Sequence, residues 1–491
     1  MKKKQAAIIG AGIAGLASAI RLRAQGHEVS VFEANNYPGG KLTAFEKMGY
    51  RFDMGPSLFT MPHLVEDLFK VAKIPMHKYF SYKKKKNICT YFFEDGTYFE
   101  APADEKEFAK KSAEIFDITE KELLNYLDKS KKKYDLTAPL FLEKSLHKTS
   151  TYLSKKTLKA AVNIGVLDLN KSLSSLNEKT FKDPRLVQFF NRFATYNGSS
   201  PYKTPGIMSM IPHLEQHYGT YFPVGGMHQI TLSLFNLAKE IGVKFEFNSP
   251  VDEIITQEKR VTGLLVNEKI IKADIVVSNA DIVPTYRRLL PKHKAPERTL
   301  SQPRSSSALI FYWGIKKTFP QLDLHNIFFS KNYQKEFEHI FEKQSVYDDP
   351  TIYLNISSKD APKDAPKGCE NWFTMINVPN NTGQDWDTVI ERSRTKIIDK
   401  LSRLLKQDIS ELIEQESILD PRTIESKTQS YQGALYGASS NNKFAAFLRH
   451  PNFKSNLQNL YFCGGSVHPG GGIPLCLLSG KIVADLIEKN E

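Results

Sequence analysis

Apolar runs and a helical pattern alternate at the start of the chain. Ala6–Ile9 is a continuous apolar run of the kind that forms a buried parallel strand. Small and apolar residues then recur at helical spacing, and Gly26 follows as a helix stop. A second apolar run, Val29–Phe32, ends beside Glu33. The pattern therefore predicts a strand, a helix and a second strand parallel to the first.

Glycines occupy the turn between the first predicted strand and the helix. Gly10, Gly12 and Gly15 form a GxGxxG motif, with Ala14 inside it, and Glu33 follows Gly15 at the usual distance of a ribose-binding carboxylate. In such a motif the first glycine permits a tight turn, the second lets the backbone approach a pyrophosphate, and the third lets helix and strand pack closely. The helix N-terminus then stabilises the phosphate charge. We expect a Rossmann-type α/β domain that binds a dinucleotide.

A second glycine cluster lies near the other end of the chain. It follows the apolar run Leu460–Phe462 and precedes a helical pattern whose first turn contains Pro474. Its backbone N–H groups and the positive end of the following helix would face the pyrimidine edge of a flavin. We therefore expect one large cofactor to be held by the first and last segments together. The predicted cofactor contacts in this cluster are Gly464, Gly465, Gly471, Gly472 and Ile473.

The pattern between the two clusters divides the chain further. Residues 91–215 are lysine-rich with predicted helices, and residues 291–425 alternate predicted strands and helices. We expect a discontinuous cofactor domain built from residues 1–90, 216–290 and 426–491. It is interleaved with an α+β substrate domain at 291–425 and a helical lid or membrane-associating insertion at 91–215. A strand at Ile275–Ser278 leads into Asn279 and Asp281, and Asp281 is expected to cap the next helix.

Composition narrows the classes of partner and site. The 491 residues carry a formal net charge of +13, which calls for an acidic partner or surface. Arginine-rich arms and helix-turn-helix signals are absent, so an anionic membrane surface fits better than nucleic acid, with solvated loops as the alternative. Four cysteines without CxxC spacing predict reduced thiols, and we expect no metal site. The lysine runs are Lys83–Lys86, Lys131–Lys133 and Lys155–Lys156.

No apolar run approaches the roughly 20 residues that a membrane-spanning helix needs. The initial MKKK and the apolar stretch after it imitate a secretory signal, but the spaced glycines and Arg21 favour the strand–helix–strand interpretation. We expect a cytoplasmic protein.

Further motifs resemble one enzyme family along the whole chain. The stretch from Gly39 to Leu58, with its Gly-Gly-Lys turn and its GPS segment, resembles the second glycine motif of the flavin-containing amine oxidase and carotenoid desaturase superfamily. YFPVGGM, SNAD and GALYG follow in the family's order. The phrase NLYFCGGSVHPGGGIPLCLLSGKIVADLI resembles the terminal signature of bacterial-type phytoene desaturases. The resemblance implies an amine oxidase or glutathione reductase-like fold that binds FAD, with further contacts at Gly40, Lys41, Ser57, Leu58, Val251 and Asn279.

Within that family, GPSLFTMPHLVEDLF resembles the 1-hydroxycarotenoid 3,4-desaturase branch. The resemblance implies desaturation of an acyclic C40 carotenoid end group by a peripheral protein on the inner face of the cell membrane. We expect hydride transfer to flavin N5 followed by proton loss, with oxygen or a membrane quinone as electron acceptor. His468 is a candidate base, because a delocalised cation needs only a weak one. Its alternative role is to brace the glycine turn by a hydrogen bond.

Four other interpretations stay open at this point. The first motif alone also fits an ordinary nicotinamide-binding module. A phytoene desaturase is the nearest alternative in substrate. An amine or polyamine oxidase shares the cofactor motifs but would require an aromatic cage or an acidic recognition cluster. A non-enzymatic lipid-binding protein of the same fold would lack flavin, so flavin absorbance distinguishes it.

Overall fold

The computed structural model describes residues 3–148, 151, 164–442 and 448–490. The lysine pair at positions 155–156 lies outside these described residues. Helices of eight or more residues in the described chain are α1 (Ile13–Ala24), α2 (His63–Ala72), α3 (Glu105–Ile115), α4 (Glu120–Thr137), α5 (Leu173–Thr180), α6 (Pro184–Asn191), α7 (His228–Glu240), α8 (Tyr333–Phe341), α9 (Trp386–Leu405), α10 (Pro421–Thr428) and α11 (Ile473–Lys489).

The strands of the described residues form two larger and three smaller sheets. In chain order the strands are β1 (Gln5–Ile9), β2 (Glu28–Phe32), β3 (Ala44–Lys47), β4 (Tyr50–Asp53), β5 (Tyr82–Lys84), β6 (Asn87–Phe92), β7 (Tyr98–Pro102), β8 (Tyr221–Pro223), β9 (Lys244–Glu246), β10 (Val251–Gln257), β11 (Arg260–Val266), β12 (Lys269–Lys272), β13 (Ile275–Ser278), β14 (Ser307–Ile315), β15 (His325–Phe328), β16 (Ile352–Asn355), β17 (Glu370–Val378), β18 (Ile413–Leu419) and β19 (Leu460–Phe462).

A five-stranded parallel sheet brings the two ends of the chain together. Its order is β19-β13-β1-β2-β9, so the strand nearest the C-terminus lies two places from the first strand. Helices α1 and α11 pack against each other on one face, where a Cβ added at Gly480 would lie 2.9 Å from Ala17 Cβ. The predicted strand–helix–strand unit and the strands at 275–278 and 460–462 are confirmed. Because all five strands are parallel, the segments that follow them meet at one edge of the sheet.

A seven-stranded, mostly antiparallel sheet forms the second layer. Its order is β18-β14-β17-β16-β15-β6-β7, and β14 is buried along its whole length. The predicted alternation of strands and helices within residues 291–425 is confirmed. Strands β6 and β7 join this sheet through the parallel pair β15–β6. The predicted domain boundary between residues 90 and 91 therefore falls inside β6, and the helices of the predicted insertion begin only after Pro102.

Helices α3 to α6 lie in the segment predicted as a helical insertion, and they share a core with the edge of the large sheet. Phe99, Phe108 and Phe189 are fully buried there. Lys133 was predicted to belong to an exposed basic run, but it is buried and pairs with Asp168 at 2.8 Å. Because Lys133 lies on the inner face of α4, its charge does not contribute to the basic surface of the protein. Within the described residues, every helix is too short or too polar to cross a bilayer.

Candidate cofactor and substrate site

A cavity of about 530 Å³ joins the parallel sheet to the seven-stranded sheet. One end is lined by the glycine segments and the other by side chains of the large sheet and the helical segment. The polar lining is concentrated in a few groups within an otherwise apolar surface. The predicted site residues that line it are Gly12, Ala14, Gly40, Lys41, Ser57, Leu58, Asn279, Gly464, Gly465, His468, Gly471, Gly472 and Ile473.

Gly10, Gly15, Glu33 and Val251 do not line this cavity. Gly10 has a φ of +90° and makes the tight turn after β1, so its predicted role in the turn is confirmed. A Cβ at Gly15 would lie 2.2 Å from the Gly10 carbonyl oxygen, which explains the need for glycine there. Val251 begins β10 and packs in the core beside Phe32. Its predicted approach to the cofactor stays a prediction.

The Glu33 carboxylate holds the first glycine turn against β2. Its Oε2 accepts a hydrogen bond of 2.7 Å from the Ala11 N–H, and its Oε1 accepts from the Asn35 N–H at 2.9 Å. The side chain is 7% exposed. The carboxylate thus positions the turn whether or not it also meets a ribose, and the ribose contact stays a prediction.

Asn279 joins the first helix to the last strand. Its Oδ1 accepts a hydrogen bond of 3.1 Å from the Gly15 N–H, while its Nδ2 donates to the Cys463 carbonyl at 3.2 Å. Cβ atoms at Gly12 or Gly464 would lie 2.6 Å from the Asn279 amide atoms. One side chain therefore sets the spacing between the two glycine clusters.

The second glycine turn packs directly on the first. The Gly39 N–H donates a hydrogen bond of 2.9 Å to the Ala11 carbonyl. Lys41 follows, and its Nζ donates to the carbonyls of Ala434 and Leu435 at 3.3 and 2.9 Å. Burial lowers the pKa of the Lys41 ammonium, and the nearby Asp281 carboxylate opposes that shift. A half-buried cation thus lies in the cavity wall without an ion pair among the described residues.

The backbone donors of both clusters fit an anionic group. Among the described residues, the Ala14 N–H in the first turn of α1 has no partner. The N-terminus of α11 likewise has no side-chain cap, and a Cβ at Gly472 would meet no atom within 4 Å. Uncapped helix ends attract phosphates and other anions. The open cradle at Gly472 and this orphaned donor fit a dinucleotide that carries a flavin ring.

His468 and Asp281 are both held by the protein. The His468 Nε2 donates a hydrogen bond of 2.8 Å to the Lys144 carbonyl, which places the proton on Nε2, and burial lowers the pKa of the ring to about 4. This geometry supports the bracing role over the role of a base. The Asp281 carboxylate accepts from the Val283 N–H at 2.9 Å, so its predicted capping role is confirmed.

Arg449 was missed by sequence reasoning. It lines the cavity at 4% exposure, and its guanidinium donates to the carbonyls of Tyr436 and Gly465 at 2.6 and 3.3 Å. Burial, with a smaller effect of Arg304, lowers its pKa to about 10. A second cation thus lies beside the C-terminal glycines. No periodic pattern surrounds this residue, so only its position shortly before β19 could have drawn attention to it.

The far end of the cavity contains one buried ion pair. The Arg192 guanidinium donates to the Glu215 carboxylate at 2.9 Å, and it lies 4.3 Å from the centroid of the Phe193 ring. The described lining contains two carboxylates. The Glu215 charge is neutralised by Arg192, and the Asp281 carboxylate caps the short helix that follows it. This end of the cavity therefore offers little to attract an ammonium group.

Sequence comparison identifies three relevant similarities. The profile of flavin-containing amine oxidoreductases matches residues 13–488. A 1-hydroxycarotenoid 3,4-desaturase of Flavobacterium sp. (strain P99-3) is 60% identical over 484 residues, covering 99% of each chain. A 4,4'-diaponeurosporene oxygenase of Staphylococcus aureus (strain MSSA476) is 34% identical, again covering 99% of each chain.

The fold is also found in solved structures. Cyclohexylamine oxidase from Brevibacterium oxydans IH-35A superposes with a TM-score of 0.62 at 17% identity, covering 100% of this chain and 99% of the other. At this identity the likeness shows a shared mixed α/β fold and nothing about the substrate.

Proposed function

The chain belongs to the family of flavin-containing amine oxidoreductases, and we propose that within it this protein is an FAD-dependent carotenoid desaturase. It introduces a carbon–carbon double bond into an acyclic carotenoid end group, and its preferred reaction is the 3,4-desaturation of a 1-hydroxycarotenoid. The single observation that carries this proposal is the 60% identity, over the whole chain, to a relative named for that reaction.

The cavity supports the proposal because its two ends suit two kinds of ligand. The glycine turns, Lys41 and Arg449 would hold FAD, which supplies the two-electron oxidant that a desaturation needs. The apolar remainder suits a hydrocarbon, since burial of apolar surface contributes roughly 25 cal/mol per Å². Such a wall also excludes water from the reacting carbons and fixes their position, which supplies much of the catalysis when no strong base is needed.

Parallel incubation of the purified protein and FAD with two substrates tests the proposal. We expect a red-shifted product from a 1-hydroxylated acyclic carotenoid. A red-shifted product from phytoene alone would instead make the protein a phytoene desaturase. A colourless preparation that binds carotenoid without flavin absorbance and without turnover would make it a lipid-binding protein.

We further propose that the protein works at the inner face of the cell membrane as a peripheral protein. Strand β5 carries the exposed Lys83 and Lys84 and pairs with β8, which is followed by Val224 at 52% exposure. Basic and apolar groups side by side favour an anionic lipid surface, because each basic residue there contributes about 1 kcal/mol. Co-sedimentation with phosphatidylglycerol vesicles should fall in a K83E/K84E double variant, while neutral vesicles should bind neither form well.

Oxygen or a membrane quinone is the proposed electron acceptor. The apolar cavity supports both, because each is a small or lipid-soluble neutral molecule. Turnover measured anaerobically with and without added quinone separates them. Activity that persists only with quinone would identify the quinone, and activity restored by oxygen alone would identify oxygen.

A further inference from the structure

Four cationic side chains lie in the described lining of the cavity, namely Lys41, Arg192, Lys427 and Arg449. Arg192 is neutralised by Glu215 at 2.9 Å. Asp281 offsets part of the Lys41 charge, because it opposes the effect of burial on the Lys41 pKa. Lys427 is exposed in the last turn of α10. Arg449 is therefore the buried cation of this described lining that no carboxylate balances.

The Arg449 charge lies beside the C-terminal glycines. Its Nη1 donates to the carbonyl oxygens of Tyr436 and Gly465 at 2.6 and 3.3 Å, and a Cβ added at Gly470 would lie 3.2 Å from its Nε. These carbonyls are dipoles, so they do not cancel a full charge. Although burial lowers the Arg449 pKa to about 10, the group stays charged at neutral pH. The N-terminus of α11, directly after these glycines, adds partial positive charge because no side chain caps it.

Tyr436 lies where the two ends of the cavity meet. A Cβ at Gly471 would lie 2.8 Å from its Cδ1, and a Cβ at Gly198 would lie 2.8 Å from its Cδ2. Gly471 belongs to the C-terminal glycines, while Gly198 directly follows the turn Arg192–Asn197, which lines the far end. Because the flavin ring must meet the substrate, it belongs at the glycines next to that end. The GxGxxG turn, whose Ala14 N–H has no partner among the described residues, is then left for the pyrophosphate.

We propose that Arg449, through its charge, stabilises the reduced flavin ring and thereby raises the reduction potential of bound FAD. In the desaturation a carbon–hydrogen bond of the substrate breaks, its hydrogen and both electrons pass to flavin N5, and the cation left behind then loses a neighbouring proton. The oxidised ring is neutral and the reduced ring carries one negative charge, so a fixed cation in a dry wall favours the reduced form. The inference rests on the FAD binding of the proposed function and not on the identity of the carotenoid.

The test measures the affinity of the full-length protein for oxidised and for reduced FAD by anaerobic titration, together with the midpoint potential of the bound cofactor. Arg449→Gln keeps an N–H donor for the two carbonyls and removes the charge. We expect it to weaken the binding of reduced FAD about tenfold more than that of oxidised FAD, which lowers the two-electron potential by about 30 mV. Arg449→Lys, which keeps a charge, should recover most of that shift. The control Lys427→Gln removes a cation that solvent screens and should leave the potential unchanged.

The thermal unfolding midpoint of each variant separates a folding defect from a lost charge, and Arg449→Met carries the same comparison if Arg449→Gln does not fold. Equal losses of affinity for both forms of FAD would place the Arg449 charge at the pyrophosphate and overturn the proposal. An unchanged potential in Arg449→Gln, or an equal shift in Lys427→Gln, would overturn it too. A wild-type protein that binds no FAD would overturn the proposed function instead, whereas one that binds FAD but leaves the carotenoid unchanged would overturn only the substrate.

Discussion

Removal of the Asn279 side-chain amide should loosen the connection between the two ends of the chain. In Asn279→Leu, the Gly15 N–H and the Cys463 carbonyl both lose their partner. An unpaired buried backbone group costs roughly 1–3 kcal/mol, so we expect a loss of about 2–6 kcal/mol in the free energy of unfolding. Asn279→Asp keeps an acceptor for Gly15 but sets a second oxygen against the Cys463 carbonyl, so it should lose at least the roughly 1–3 kcal/mol of one unpaired group.

The same change should weaken FAD binding. Both glycine clusters must keep their spacing to hold one cofactor. If FAD binding has to restore that spacing at a cost of about 1.4 kcal/mol, the affinity for FAD falls about tenfold. Urea unfolding of the FAD-free protein measures the stability, and titration of flavin fluorescence measures the dissociation constant. Asn279→Leu with unchanged FAD affinity and a stability within about 0.5 kcal/mol of wild type would refute the reasoning.

Three further changes test the packing and the buried charges. Glu215→Gln leaves the Arg192 charge buried and unpaired, so urea unfolding should show a loss of about 3–5 kcal/mol, and a wild-type-like midpoint would contradict a buried pair. In Gly480→Val the new Cβ would lie 2.9 Å from Ala17 of α1, so the free energy of unfolding should fall by about 1–3 kcal/mol. Gly165→Ala, where a Cβ would meet no atom within 4 Å, should leave that free energy nearly unchanged in the same assay. In the folded protein the pKa of His468 is about 4, below the ordinary value of 6.5. As the pH drops, the unfolded chain therefore binds a proton at this residue before the folded protein does. The free energy of unfolding consequently falls between pH 6.5 and pH 4. Between pH 7 and pH 5, the free energy of unfolding of His468→Gln should fall by about 2 kcal/mol less than that of wild type. Parallel plots of unfolding free energy against pH for the two proteins would contradict this.

Hydrophobic periodicity predicted those helices and strands in which the buried residues recur at regular spacing. The helix Trp386–Leu405 has a clear apolar stripe, and it lies in the segment predicted to alternate strands and helices. Apart from β9, the strands of the parallel sheet are short and largely apolar runs, so their type also follows from sequence, while their contacts with a cofactor stay a prediction. Strands β6 and β7 were assigned to the wrong layer, because strand pairing across more than two hundred residues leaves no local signal.

The substrate end of the cavity could not be predicted for the same reason. Arg192, Glu215 and His325 come from three separate segments, and each looks like an ordinary polar residue in its own segment. The fold brings the first two into an ion pair and leaves the third with an unpartnered nitrogen. The GPS motif pointed to Ser57, but the hydrogen bonds that lead from it through Tyr353 to His325 depend on the register of β15 and β16.

The distribution of buried charge along the cavity explains how one site can hold two unlike molecules. Lys41 and Arg449 are cations held only by carbonyl groups in the described part of the chain, and burial lowers the pKa of both. Asp281 offsets part of the Lys41 charge, whereas Arg449 has no carboxylate partner among the described residues. Buried charge is costly, so an adjacent anion would stabilise both residues, and a neutral hydrocarbon would not. The pyrophosphate and reduced ring of FAD supply such charge. At the other end, Arg192 is neutralised by Glu215, so that wall can meet a carotenoid without an unbalanced charge.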